Sequence, residues 1–327
     1  MFPNFDYVRP QSLQAAITHL SGEAAVVHAG GTDLLGCLRE QLFAVKKVVS
    51  ISAVRELHGI AEGADGTLRI GALTTIRTVS EHPLVRQRFS GLAQAASEVA
   101  SPQLRNQGTI GGNICQKPRC WYYRGDFNCL RKGGGTCFAV DGENQFHCIF
   151  AGGGTCFMVH PSDTAPCLVA LNATARVAGP GGVRDVPLER FHVLPEVDVR
   201  HETVLKPREI VTEIRIPPPA AGTRNSYRKV RARRSWDFAL AGVALALRFD
   251  GRRVVDGRVV LSGAAPVPWR SAEVEQVIRG KELNTEVIAA AAKAVVAGAE
   301  PLEKNGYKIP LFQGVIEEEL SRMSASA

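Results

Sequence analysis

Thiol groups are concentrated in one part of the chain. Six of the eight cysteines lie between Cys115 and Cys156, and four of them fall within CQKPRCWYYRGDFNCLRKGGGTC at 115–137. The N-terminal residues MFPNFDYVRPQSLQ lack a basic region followed by an apolar stretch, so we expect no secretory signal peptide. Because cytosolic thiols are kept reduced, a disulfide framework is disfavoured, and clustered cysteines in a large intracellular protein more often bind a metal.

The spacing of the cysteines restricts which metal they could bind. Structural zinc sites usually separate paired ligands by about two to four residues, and this chain has no CxxC pair. Nine, eight and nineteen positions separate, in turn, Cys120, Cys129, Cys137 and Cys156. An iron–sulfur cluster accepts four thiolates from widely spaced loop positions. Spacing alone therefore favours an iron–sulfur cluster and leaves zinc and unligated thiols open.

Glycines accompany two of these cysteines. The hexapeptide GGGTCF occurs at 133–138 and again at 152–157. Glycines beside a ligand let the backbone bend around a cluster and direct N–H groups toward its sulfurs. The alternative is a pair of flexible hairpin tips with unused thiols.

Two further glycine turns could contact a phosphate. HAGGTDLL at 28–35 follows an apolar strand, and TIGGN at 109–113 precedes the cysteine-rich segment. Glycine turns allow backbone N–H groups to approach a pyrophosphate closely. Neither turn has the GxGxxG pattern of a Rossmann fold, and each alone is compatible with an ordinary turn.

The elements that position these turns follow from periodicity and turn residues. A short strand is predicted at the start of 24–35, and the segment 236–265 is predicted as helix or strand followed by strands with an Asp-Gly turn. Helices are predicted at 12–20, 83–100, 164–173, 286–299 and 311–323, and strands at 46–52, 67–73, 174–188 (a hairpin) and 208–219. Three prolines end the last of these strands, so the chain is predicted to be mixed α+β with a break near 215–225.

Composition sets broader limits. At 327 residues we expect two or three domains, and no apolar run reaches the roughly 18–20 residues that span a bilayer. The formal charge of +7 is spread along the chain, with only three Trp and five Tyr. This argues against a nucleic-acid surface and is compatible with an acidic partner or a phosphate-bearing cofactor.

Five motifs carry a resemblance to a known family. They are AGGTDLL, RIGALTTI, LRNQGTIGGN, HPSDTAP and YRKVRARRSWDFALAGVALAL. Over about residues 4–325 the chain resembles the FAD-binding medium subunits of the molybdenum hydroxylases, the xanthine dehydrogenase and carbon monoxide dehydrogenase family. The resemblance implies a vanillyl-alcohol-oxidase-type FAD-binding fold of two α/β subdomains, at 1–57 and 58–218. It also implies a C-terminal α+β domain of the CO dehydrogenase flavoprotein type at 222–327.

The cysteine-rich segment is an insertion relative to most of this family. It separates Asn113 from Asp163 by 49 residues, and we define the insertion as residues 115–158. It resembles the insertions of 4-hydroxybenzoyl-CoA reductase β-subunits and of the FAD subunits of bacterial three-subunit aldehyde oxidoreductases, which carry a [4Fe-4S] cluster. The long last gap favours the second group. The resemblance implies that Cys115 and Cys148 are spare, with Cys148 as the rival ligand, and that the ligands are Cys120, Cys129, Cys137 and Cys156.

The resemblance also implies a set of FAD-binding residues. Asp163 is expected to accept hydrogen bonds from ribityl or ribose hydroxyls, and Lys229 to lie close to the flavin ring. Asp33 could instead be an N-cap, and His28 could be an ordinary loop histidine. We expect the pyrophosphate to be wrapped by Val27, His28, Ala29, Gly30, Gly31, Thr32, Asp33 and Leu34. A second phosphate and ribityl contact is expected from Thr109, Gly111, Gly112 and Asn113, and packing near the rings from Val99 and Val211.

The implied function is electron transfer, with no catalytic side chain on this subunit. Electrons would pass between FAD here and [2Fe-2S] centres of a partner. The expected reaction at molybdenum is the oxidation of an aldehyde to a carboxylic acid, with 4-hydroxybenzoyl-CoA reduction as the alternative. The implied partners are a large molybdenum-cofactor subunit, a small [2Fe-2S] subunit in an αβγ heterotrimer, and an electron acceptor. The cytoplasm is the expected compartment, with the periplasm as an alternative if a signal-bearing partner is co-exported. From another class, a zinc-stabilised interaction protein and a stand-alone FAD enzyme remain alternatives.

Overall fold

The first part of the chain forms a small parallel sheet. The computed structural model describes residues 2–325. In this part, the elements are β1 (Asp6–Val8), α1 (Leu13–His19), β2 (Ala25–His28), α2 (Leu34–Arg39), β3 (Lys47–Ser50) and a 3₁₀ turn at Arg55–Leu57. The strand order is β1–β3–β2, with both pairings parallel. Strand β2 ends at His28, so the HAGGTDLL turn begins at the carboxyl edge of the sheet.

A five-stranded antiparallel sheet follows, in the order β4–β5–β8–β6–β7. The sheet and the helices share one large apolar core, in which Phe89, Leu92 and Ile110 are buried. The strands are β4 (Ile60–Glu62), β5 (Leu68–Gly71), β6 (Thr174–Gly179), β7 (Gly182–Pro187) and β8 (Ile210–Ile216). The helices are α3 (Ile76–Glu81), α4 (Pro83–Arg88), α5 (Ser90–Glu98), α6 (Pro102–Arg105), α7 (Ile110–Ile114), α8 (Trp121–Arg124) and α9 (Thr164–Ala170), with 3₁₀ turns at Leu130–Lys132 and Leu188–Arg190.

The C-terminal part is an antiparallel sheet packed on helices. The strand order is β12–β11–β10–β9, and the β10–β11 turn occurs at Asp250–Gly251, where Gly251 has a φ of 55°. Helix α12 packs on the sheet through Phe312, Ile316 and Leu320. The elements are β9 (Thr223–Val230), β10 (Ala241–Asp250), β11 (Arg253–Ser262), β12 (Trp269–Arg270), α10 (Ala272–Ile278), α11 (Thr285–Ala294) and α12 (Lys308–Ala325).

The predicted mixed α+β class is confirmed, with local differences. The segment predicted as one helix over 83–100 is two, because Phe89 leaves the helical region at φ −130° and ψ 50°. The ambiguous segment 241–250 is a strand, because it pairs on both sides with β9 and β11. The strands of the three sheets fall within the three predicted domain ranges, and the boundaries themselves stay predictions. Within residues 2–325, no helix combines the length and apolar character needed to cross a membrane.

The insertion has little regular structure and is held by its neighbours. It contains only helix α8 and the 3₁₀ turn at Leu130–Lys132. Its far end contacts the C-terminal part, where the Ile149 N–H donates to the Ala264 carbonyl at 2.9 Å. Asn305 Nδ2 donates to the Cys148 carbonyl at 3.0 Å. The insertion therefore lies against the C-terminal part of the chain.

Candidate functional site

The two glycine turns meet. A Cβ atom on Gly30, in the first turn, would overlap the carbonyl oxygen of Gln107, which lies two residues before the second turn. One on Gly111, in the second turn, would come within 2.8 Å of the side chain of Ala72, just after β5. Neither position can therefore carry a side chain as long as the neighbouring segments stay this close. The turn after β2 and the turn before α7, far apart in sequence, form one surface.

Two adjacent cavities, which share Thr32, Asp33, Thr109 and Gly112 in their walls, lie along this surface. Each holds about 260 Å³, which is less than the ~300 Å³ at the lower end for small-molecule sites. A ligand as large as a dinucleotide would therefore occupy both. The predicted residues in the first cavity are Val27, Ala29, Gly30, Gly31, Thr32, Asp33, Leu34, Thr109, Gly111, Gly112 and Val211. Those in the second are Thr32, Asp33, Val99, Thr109, Gly112, Asn113 and Asp163.

Asp163 is a buried carboxylate at the wall of the second cavity. Lys229 Nζ donates to its Oδ2 at 2.8 Å, and Tyr227 Oη donates to its Oδ1 at 2.8 Å. Tyr227 and Lys229 reach the same partner because alternate residues of a strand share a face. Burial raises the pKa of Asp163, and the Lys229 ammonium and the Tyr227 hydroxyl offset only part of this increase. Lys229 thus reaches the cavity through Asp163.

Asn113 fixes the segment that carries Asp163. Its Oδ1 accepts hydrogen bonds from Ser162 Oγ at 2.6 Å and from Thr164 Oγ1 at 2.7 Å. The two ends of the insertion are therefore joined directly beside the second cavity.

Asp33 makes an unexpected set of contacts. It occupies the N-cap position of α2, but its side chain makes no capping hydrogen bond. Its carboxylate instead accepts hydrogen bonds from Arg119, from Arg124 Nη2 at 2.8 Å and from the Lys117 N–H at 2.7 Å. Burial raises the pKa of Asp33, but the two guanidinium groups outweigh burial and hold that pKa below its usual range. All three donors belong to the insertion.

The cysteines of the insertion converge in part. The thiols of Cys137 and Cys156, one from each GGGTCF repeat, hydrogen-bond to each other, which lowers the pKa of Cys137 to about 6 and raises that of Cys156. Cys120 interacts electrostatically with Cys137 and with Cys129, although burial is the main reason why its pKa rises to about 11. Cys120 Sγ also lies 3.3 Å from Nε2 of His147.

The arrangement does not by itself establish a metal centre. Among residues 2–325, no group of three or more His, Cys, Asp or Glu side chains is arranged to hold a metal ion. Backbone N–H groups nevertheless donate to three of the sulfurs. Tyr122 and Tyr123 donate to Cys120, Ala139, Val140 and Phe157 to Cys137, and Met158 to Cys156.

Comparison with known proteins identifies the family. Residues 3–219 match the family described as the FAD binding domain in molybdopterin dehydrogenase. The chain belongs to the FAD-binding medium subunits of the molybdenum hydroxylases. Residues 225–312 match the CO dehydrogenase flavoprotein C-terminal domain. It is therefore an FAD-dependent oxidoreductase subunit with the predicted fold.

Individual relatives extend over nearly the whole chain. It is 32% identical over 328 residues to the aldehyde oxidoreductase FAD-binding subunit PaoB of Escherichia coli K12, covering 99% of both chains. It is 31% identical to the carbon monoxide dehydrogenase medium chain of Hydrogenophaga pseudoflava, covering 92% of this chain and 89% of that one. A solved carbon monoxide dehydrogenase from that organism, lacking the Mo-pyranopterin moiety, superposes with a TM-score of 0.76 and 29% identity, over 97% and 96% of the chains.

Several histidines and arginines of this flavoprotein subunit lie outside the linings of the two cavities. His28 Nδ1 lies 3.3 Å from Ser50 Oγ, and burial lowers its pKa. His160 packs on His192 with ring centroids 4.2 Å apart, and burial lowers the pKa of both. Arg233 and Arg234 are exposed.

The two cysteines expected to be spare are also buried thiols, and their role stays a prediction. Burial raises the pKa of both Cys115 and Cys148 to about 12. Cys115 borders the first cavity. Cys148 is fully buried, and it interacts with Lys308 and, more weakly, with Cys137.

Sequence reasoning missed several lining residues. The insertion contributes Gln116 and Arg119 to the second cavity, and the segment after β9 contributes Trp236 and Phe238. The strand periodicity around Lys229 could have identified Tyr227 as a second partner of Asp163. No pattern in the sequence pointed to a pairing of Arg119 with Asp33.

Proposed function

We propose that this chain is the electron-transferring FAD subunit of a molybdenum hydroxylase that oxidises aldehydes. The close approach of the two glycine turns, which lines the two adjacent cavities with backbone, carries the assignment of the cofactor site. The end-to-end similarity to the aldehyde oxidoreductase subunit PaoB supports an aldehyde as the substrate class. When bound, FAD takes up electrons from iron–sulfur centres of a partner and delivers them to an acceptor.

The residues around the cavities fit FAD. Backbone N–H groups of Val27–Leu34 would hold the pyrophosphate, and Thr109, Gly111, Gly112 and Asn113 would contact the second phosphate and the ribityl chain. The carboxylate of Asp163 is a good acceptor for ribityl or ribose hydroxyls. Lys229, paired with Asp163, would place positive charge behind the ring system and favour negative charge on it. Val99 and Val211 would supply apolar contacts.

We further propose a [4Fe-4S] cluster in the insertion. The hydrogen bond between the Cys137 and Cys156 thiols and the N–H donors to three of the sulfurs support it, because hydrogen bonds to sulfur tune such clusters. The ligands would be Cys120, Cys129, Cys137 and Cys156. Replacing Cys129 with Ser should remove the iron, whereas replacing Cys148 with Ser should leave about four irons per chain. The opposite result would reassign the ligands, and zinc in place of iron would contradict the cluster.

The subunit would work in an αβγ heterotrimer with a large molybdenum-cofactor subunit and a small [2Fe-2S] subunit. The names of the relatives, which are FAD-binding subunits or medium chains, support a multi-subunit complex. We propose a cytoplasmic location, or a periplasmic one through co-export with a signal-bearing partner.

The native complex tests this function. Acid extraction should release about one FAD per chain. Aldehydes should bleach the flavin absorption, whereas carbon monoxide, xanthine and 4-hydroxybenzoyl-CoA should leave it unchanged. Activity of the chain alone, without partner subunits, would contradict the subunit role. Electron exchange with 4-hydroxybenzoyl-CoA instead of aldehydes would move the chain to the reductase branch.

A further inference from the structure

The insertion forms part of the wall of the FAD cavities. Gln116 borders both cavities, Lys117 the first and Arg119 the second. Gln116 Oε1 accepts a hydrogen bond from Arg119 Nη2 at 3.0 Å, which orients the guanidinium. The residue that follows Arg119 is Cys120, a proposed cluster ligand. The insertion therefore contacts the cofactor space directly at its first residues.

The central contact is the one with Asp33. Asp33 borders both cavities within the turn proposed to wrap a pyrophosphate. A carboxylate there would repel the phosphates unless its charge were compensated. Arg119 and Arg124 supply that compensation, with side chains 27% and 13% exposed. Because the group is largely shielded from solvent, salt screens these charges only weakly.

Arg119 also has unused hydrogen-bonding capacity. Its Nη1 and Nη2 bond to Asp33 and Gln116, whereas Nε is buried and has no hydrogen-bond partner within residues 2–325. Its guanidinium lies 5.3 Å from the centre of the Phe238 ring, which borders the same cavity. The side chain is thus fixed at the cavity wall by contacts on several sides.

We propose that Arg119 is a positioning residue for FAD, which neutralises Asp33 and thereby makes FAD affinity depend on the order of the insertion. The inference rests on the proposed FAD and cluster sites. If the cluster orders the insertion, loss of iron releases the two arginines and leaves Asp33 uncompensated beside the phosphates. Because coupling of binding equilibria is reciprocal, bound FAD also stabilises the ordered insertion.

A charge-deletion series in the native complex tests the proposal. The FAD dissociation rate is measured from the rise in flavin fluorescence on release. Arg119→Gln should raise this rate at least about tenfold, corresponding to about 1.4 kcal/mol. Adding Asp33→Asn should return the double variant to near the wild-type rate, because the charge that Arg119 neutralises is then gone. Arg119→Lys, which keeps the charge, should lie between wild type and Arg119→Gln.

The matched control is Lys132→Gln, which removes one positive charge from the insertion. Among residues 2–325, Lys132 Nζ donates only to the Gly125 carbonyl. Its dissociation rate should equal that of the wild type. An unchanged rate in Arg119→Gln, or a double variant as fast as Arg119→Gln alone, would overturn the proposal. If the Arg119→Gln complex does not assemble, the FAD dissociation rate of Arg119→Lys is compared in the same way, with and without Asp33→Asn.

Iron depletion separates this inference from the proposed cluster. Chelator-treated complex should release FAD faster than untreated complex and should become protease-sensitive at 115–158. Iron loss with unchanged FAD release and unchanged proteolysis would contradict the coupling. A native complex that contains FAD and the iron of its [2Fe-2S] subunit, but no further iron bound to this chain, would refute the cluster alone, and the arginine series would still decide the role of Arg119.

Discussion

Lys229 should stabilise the fold by compensating the charge of Asp163. The Asp163 and Lys229 side chains are 5% and 0% exposed, so solvent contributes almost nothing to their compensation. Replacing Lys229 with Met removes the ammonium and leaves the carboxylate buried. Removing one partner of a buried ion pair costs about 3–5 kcal/mol. Tyr227 still donates to Oδ1 in this variant, so we expect a value toward the lower end of that range.

The loss of stability in Lys229→Met should depend on pH in a defined direction. Burial already raises the pKa of Asp163 above that of the unfolded chain. A carboxyl group with a raised pKa contributes stability at low pH, and this contribution is lost as the pH rises through the folded-state value. Lys229→Met raises that pKa further. The free energy of unfolding should therefore differ from that of the wild type by more at pH 8 than at pH 5.

Urea unfolding followed by tryptophan fluorescence measures both quantities. The double variant Asp163→Asn/Lys229→Met should recover most of the stability, because the neutral amide keeps an acceptor for Tyr227 without a buried charge. A Lys229→Met variant within about 1 kcal/mol of the wild type would refute the reasoning. A double variant as unstable as Lys229→Met would show that packing, and not charge, is responsible.

Three further perturbations test other parts of the molecule. Gly30→Ala should weaken FAD binding at least about tenfold, measured by flavin fluorescence, because its Cβ would overlap the carbonyl oxygen of Gln107. Burial lowers the pKa of Lys308, which lies beside Cys148 and His147, from 10.5 to about 8. In urea titrations, the free energy of unfolding of the wild type relative to that of Lys308→Met should therefore rise by about 3 kcal/mol between pH 8 and 10.5. A difference that does not change with pH would contradict this. Arg131→Met should cost about 3 kcal/mol in the same assay, because it leaves Glu202 buried with only a lysine beside it.

Local sequence signals identified the elements with strong periodicity. The strand before the first glycine turn was predictable from its short apolar run, and the Asp250–Gly251 turn from its residue types. The split of the 83–100 helix was not predictable, because Phe89 leaves the helical region while its side chain is fully buried in the core of the second sheet. Tertiary packing overrode the helical periodicity there.

The site was predictable where backbone conformation dictates the residue. Gly30 and Gly111 stand where another backbone segment leaves no room for a side chain, so both turns carried a recognisable signal. The contacts of Asp33 were not predictable, because they depend on backbone and side-chain donors more than eighty positions away. Sequence spacing also could not show that the Cys137 and Cys156 thiols would hydrogen-bond to each other, because the nineteen-residue gap sets no distance.

The position of the insertion explains how the fold accommodates it. Asn113 lies just before the insertion, and its Oδ1 accepts hydrogen bonds from Ser162 and Thr164 just after it. These bonds close the loop at its base whatever its length. The entropy cost of closing a flexible loop rises only by about 0.6 kcal/mol for each doubling of length, so a long insertion adds little to that cost. Because the same three residues hold Asp163 at the second cavity, any segment inserted here emerges at the proposed FAD site. Asp33 lies on the other glycine turn, at 28–35. Arg119 and Arg124 of the insertion reach its carboxylate and bind it.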